Sequence, residues 1–145
     1  MQFIFPLFAA LSLQFLGSSS LTTGQVNKVI RLSRSTVQGA LATMVRLTFH
    51  DCVGGCDGCV NIDNDSNNGL ADLIAALDDV YTTNELSSIL SRADHWAIMG
   101  IWAVQNTIDN AVTNGYDVPD LDVNYTYGRI VKCYNLQRKL SDWVC

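Results

Sequence analysis

Val45-Arg46-Leu47-Thr48-Phe49-His50-Asp51-Cys52 carries a guanidinium, an aromatic ring, an imidazole and a carboxylate within eight residues. Its apolar spacing predicts a helix from about Leu41 to His50, with Leu41, Val45 and Thr48 or Phe49 facing inward. Arg46 and His50 are four apart, so on that helix they share a face. A histidine that takes a proton, beside a guanidinium that stabilises developing negative charge, is general-base plus electrostatic chemistry. Spacing alone also fits a surface pair or a structural histidine, so the neighbouring residues have to decide.

Downstream, residues 53–68 are rich in Gly, Asp and Asn, and Cys52, Cys56 and Cys59 sit at their start. A stretch of that length and composition reads as a structured loop. Leu70, Leu73, Ile74, Leu77 and Tyr81 recur at helical spacing and predict a helix over about 70–81. A longer apolar pattern from about Glu85 to Val112 follows, with Ser87, Ser88 and Ser91 near its start and a break expected near Arg92. Upstream, Thr22 or Thr23 caps a helix from about Gly24 to Gly39, with Val26, Val29, Ile30 and Val37 on its apolar side. There is no convincing strand alternation and no repeat. The fold class is all-α.

The chain has 145 residues, 48% of them hydrophobic, and a formal net charge of -5. That size supports one modest core. The acidic balance lacks the basic stripe of a nucleic-acid binder. The one basic cluster, Lys132, Arg138 and Lys139, reads as a solvated face. Phe3 to Leu16 is nearly all apolar and is followed by Gly17, Ser18, Ser19 and Ser20, so residues 1–20 read as a signal peptide without a Lys or Arg in its first segment. The run is too short for a spanning helix, and no later segment reads as one. A secreted chain makes disulfides the default for its five cysteines, an odd number that leaves one thiol free or paired to another chain. Asn64-Asp65-Ser66 and Asn124-Tyr125-Thr126 are glycosylation sequons in that compartment.

Arg46-Leu47-Thr48-Phe49-His50-Asp51-Cys52 resembles the distal-helix signature of the plant-type (plant, fungal and bacterial) haem peroxidases. Gly55-Cys56-Asp57-Gly58-Cys59 resembles the calcium loop of their secreted members. Ser66-Asn67-Asn68-Gly69-Leu70 resembles the Asn-containing segment of the ascorbate and cytochrome c peroxidase branch. Arg92-Ala93-Asp94, the run Trp96 to Val104, and Gly128-Arg129 match further family features in the family's order. The nearest resemblance is to animal secreted ascorbate-peroxidase-like proteins. It spans about residues 22–129, within a domain placed at 21–129, and the remainder, 130–145, reads as a divergent tail.

The resemblance implies a haem-peroxidase-like helical domain, distal half only and truncated. It also implies a function: reduction of hydrogen peroxide coupled to oxidation of an unidentified electron donor, in response to oxidative stress, with haem b as cofactor. The implied catalytic residues are His50, which moves the peroxide proton, Arg46, which stabilises the developing charge, and Asn67, which hydrogen-bonds the other ring nitrogen of His50. Asn68 competes with Asn67 by a register shift of one. Arg46, Phe49 and His50 would line the haem. Asp51, Val53, Gly55 and Asp57 would ligate calcium, but Cys59 stands where the family has a serine ligand. A disulfide-stapled acidic loop is the other reading of the same residues. Cys52, Cys56 and Cys59 also have radical SAM spacing, which secretion and the absence of alternating strands oppose. A zinc site using His50 is opposed by secretion as well.

An iron ligand opposite His50 is not found. The second histidine, His95, lies beside Asp94, away from where the family places that ligand, and reads as structural or exposed. Two further readings follow: a non-catalytic secreted binding module, and a subunit joined to a partner through the odd cysteine.

Overall fold

A computed structural model describes residues 21–119 and 128–129. The signal segment, the tail at 130–145 with Cys133, Cys145 and the basic cluster, and the Asn124 sequon lie outside the described residues. Four helices and no strand occur among those described: α1 (Thr23–Val37), α2 (Leu41–Gly54), α3 (Ala71–Thr83) and α4 (Arg92–Thr113). None is long and apolar enough to cross a membrane.

The helix ends follow local chemistry. Thr22 caps α1: its hydroxyl oxygen accepts from Gln25 N, and the Gln25 side chain accepts from Thr22 N. Ser91 caps α4 by accepting from Asp94 N at 3.0 Å. That cap, after a single 3-10 turn at Leu86–Ser88, is the break expected near Arg92. α2 runs past His50, through Asp51, Cys52 and Val53, and stops only where Gly55 takes a φ of 137°, a conformation open to glycine.

α4 packs against α2 and α1, and α3 packs against α1. The core is formed by Val29 and Val37 of α1, Met44 and Leu47 of α2, Leu73, Ile74 and Leu77 of α3, and Trp96, Met99 and Ala103 of α4. Burying a side chain of this size stabilises by roughly 1.5–3 kcal/mol. The expected core faces of α1 and α3 are the observed ones. That of α2 is not: Met44, Leu47 and Asp51 are buried, whereas Val45 and Phe49 are exposed, Phe49 at 65%. The turn of α2 is set by its closest approach to α4. There Thr48 meets Gly100, and a β-carbon on Gly100 would stand 2.2 Å from Thr48 Oγ1. The missing side chain at Gly100 lets the helices meet at Thr48 and leaves Val45 and Phe49 at the rim.

Candidate active site

α2 presents Arg46, Phe49 and His50 on adjoining positions, and the loop before α3 closes over two of them. His50 Nδ1 lies 2.5 Å from Asn67 Oδ1. The identity of the facing atom is fixed one step further out, because Asn67 Nδ2 donates to the carbonyl of Asn61 at 2.7 Å. An amide whose nitrogen is committed to a carbonyl must turn its oxygen to the ring. His50 Nδ1 therefore carries a proton and donates it, and in the neutral ring Nε2 is the acceptor. Asn67 is buried in a 3-10 turn at Asp65–Asn67, which Asn64 caps. Asn68 is exposed and offers only its backbone carbonyl, which settles the register between the two asparagines.

Arg46 is anchored by the same loop. Its Nη1 donates to Asn68 O at 2.9 Å and its Nη2 to Ser66 O at 2.6 Å. Two of its five N–H groups are so used, and three are left to meet an anion. The Phe49 and His50 rings sit edge to face, centroids 5.8 Å apart. Phe49 also borders an apolar cavity of about 260 Å³ between α2 and α4, lined by Val45, Thr48, Phe49, Cys52, Ile101 and Val104. Exposed apolar surface beside a histidine and a guanidinium is chemically suited to a flat, largely apolar cofactor, so the distal face fits haem.

The second histidine stands apart from this face. His95 is fully buried, with Nε2 in a 2.8 Å hydrogen bond with Ser33 Oγ, and its ring is stacked on Tyr81 at 5.6 Å. Burial, with the nearby Arg92 charge second, pushes its pKa down to about 4. Of the two readings the sequence left open, structural or exposed, the buried ring is the structural one. His50 and His95 are the only histidines in the chain.

The cysteine loop is stapled. Cys52 is bonded to Cys56, and Cys59 is also disulfide-bonded. Asp51, only 2% exposed, turns its carboxylate onto the loop itself, Oδ1 accepting from Gly58 N at 2.7 Å and from Cys59 N at 3.1 Å. Asp57 Oδ1 accepts from the same Cys59 N at 3.2 Å. Burial raises the Asp51 pKa, partly offset by those two amides. Among the described residues no group of three or more His, Cys, Asp or Glu is placed to hold a metal ion. Of the residues expected to ligate calcium, Asp51 and Val53 lie in the last turn of α2 and Gly55 and Asp57 in the loop after it, and both carboxylates are engaged by backbone amides. The geometry favours the disulfide-stapled reading.

One contact escaped the sequence. Asp94 receives Gly128 N at 3.0 Å and forms an ion pair with Arg129 at 3.2 Å. It thereby ties the Gly-Arg turn to the start of α4. Both segments carry family motifs, but nothing in their spacing pairs them.

A protein-family model described as Peroxidase matches residues 23–129. No curated protein and no solved structure matches the chain.

Proposed function

This chain belongs to the peroxidase family, and from that premise we propose that the Arg46–Phe49–His50 face of α2 is the peroxide-handling side of a haem peroxidase. The observation that carries the reading is the relay Asn61 O, Asn67, His50, which leaves the Nε2 lone pair available as a base. His50 Nε2 takes the proton from one oxygen of hydrogen peroxide and returns it to the other as that oxygen leaves. Arg46 directs its remaining N–H groups at the charge developing on the departing oxygen. Asn67 positions His50 and keeps Nδ1 protonated through the cycle. Phe49 shields the site from water. A bound haem would supply the two electrons that cleave the O–O bond, and an electron donor would then replace them. Arg46, Phe49 and His50 are the residues that would hold it on this side.

Reduction of peroxide outside the cell, under oxidative stress, fits the apolar run Phe3–Leu16 and the disulfide-rich loop. In that setting the amide-engaged carboxylates argue for the disulfide staple, and calcium is the alternative reading of the same residues.

The buried His95 favours a second reading. With neither histidine free to ligate iron from the far side, the chain acts as a secreted binding module or as a subunit whose partner, joined through the odd cysteine, supplies that ligand. A haem titration followed by visible absorbance separates the two. Saturable binding, weakened by Phe49→Asp, supports the first. Its absence, with a disulfide-linked species on a non-reducing gel, supports the second.

A further inference from the structure

The sequon Asn64-Asp65-Ser66 lies on the loop that holds both Arg46 and His50, and the proposed chemistry gives it no role. We propose that Asn64 carries an N-linked oligosaccharide. The inference rests on the secretory part of the proposed function, because the modification belongs to that compartment.

The geometry sorts the two atoms of the Asn64 amide. Oδ1 is doubly engaged: it accepts from Ser66 N at 3.0 Å and from the Ser66 hydroxyl at 2.9 Å. Nδ2 makes no hydrogen bond and the residue is exposed, as are Asp63, Asp65 and Ser66. An N-linked glycan replaces one hydrogen of Nδ2 and leaves Oδ1 untouched. The capped turn that presents Asn67 to His50 is therefore compatible with the modified side chain. The turn is local: it needs only the sequon's own residues, so a chain still entering the secretory pathway can form it. The alternative use of Asn64, as a cap alone, needs an oxygen at this position but neither a free amide nitrogen nor the hydroxyl of Ser66.

The step balances without oxidant or reductant. Asn64 Nδ2 forms a bond to the anomeric carbon of a lipid-pyrophosphate-linked oligosaccharide and loses one proton to the transferase. The bond from that carbon to the pyrophosphate oxygen breaks, and the lipid pyrophosphate leaves with the electron pair.

The test uses the full chain with Asn124→Gln, which removes the second sequon, expressed in a eukaryotic secretory cell behind its own first residues and, in parallel, behind an established signal peptide. Digestion with a peptide-N-glycosidase should shift the secreted band by one glycan, and digestion in heavy-oxygen water should leave labelled aspartate at position 64. Ser66→Thr should keep the shift. Asn64→Asp, which retains the capping oxygen, and Ser66→Ala should each abolish it. A secreted chain with an unmodified Asn64 peptide overturns the sequon and spares the secretory reading. A chain retained in the cytosol behind its own leader overturns both.

Discussion

Acidification should unlock the core at His95. The ring is fully buried between Ser33 and Tyr81, and Nδ1 has no hydrogen-bond partner among the described residues. Burial chiefly, and the Arg92 charge next, depress the pKa from 6.5 to about 4. Below about pH 6.5 the unfolded chain therefore takes up a proton that the folded chain refuses until about pH 4. The unfolded state binds more protons across that window, so stability falls as pH falls through it and is unaffected by this group above it. At about 1.4 kcal/mol per pKa unit the full loss is about 3 kcal/mol, a large part of the roughly 5–15 kcal/mol that holds a domain together. Asp51 and Asp78, both raised by burial, bend the curve the other way between 3.8 and their folded values, where stability falls as pH rises. The measurement is therefore a difference. Urea unfolding at about pH 7 and about pH 4.5 is compared between the chain and the double variant Ser33→Ala/His95→Leu, in which both polar partners are removed together so that neither is orphaned. The double variant should lack most of the acid-induced loss. An equal loss in both proteins would refute the assignment of acid sensitivity to His95.

Three further outcomes follow from the geometry. Gly100→Ala should destabilise by about 1–3 kcal/mol in urea unfolding, because its β-carbon would collide with Thr48, and adding Thr48→Ala should restore part of that loss. Asp51→Ala should lower stability by about 1–3 kcal/mol for the Gly58 amide it strands, Cys59 N keeping Asp57 Oδ1 as its acceptor, while calcium and a chelator should leave the melting temperature of the unmutated chain alike; a clear rise with calcium would revive the calcium reading. Asn67→Ala should release the His50 tautomer, visible in the nitrogen shifts of the ring, and lower peroxide turnover by about 10–100-fold.

Local periodicity served where a helix has one wet side. In α3 the residues Leu70, Leu73, Ile74 and Leu77 recur at helical spacing and are buried as expected. It misjudged α2, whose inward side includes the carboxylate of Asp51 and whose outward side carries Val45, Phe49 and Val53, the last 74% exposed. Apolar spacing cannot register a buried aspartate that is satisfied by amides seven and eight residues on. At the start of α4 every residue from Arg92 to Gly100 is buried. Its polar members find partners far along the chain: Arg92 with Asp78, His95 with Ser33, Asp94 with Arg129. Such pairings are set by tertiary packing and leave no local trace. That Arg46 and His50 share α2 was legible from their spacing. Which asparagine meets His50 was not, because a shift of one residue exchanges Asn67 and Asn68 and only the folded loop decides between them.

The most direct test of the peroxidase assignment is the rate of peroxide consumption by the haem-loaded chain and by its His50→Leu variant at equal haem occupancy. A general base at this position should contribute about 10²–10⁴-fold, and the variant should lose that factor. Equal rates in the two proteins would contradict the role of His50 and, with it, the proposed site.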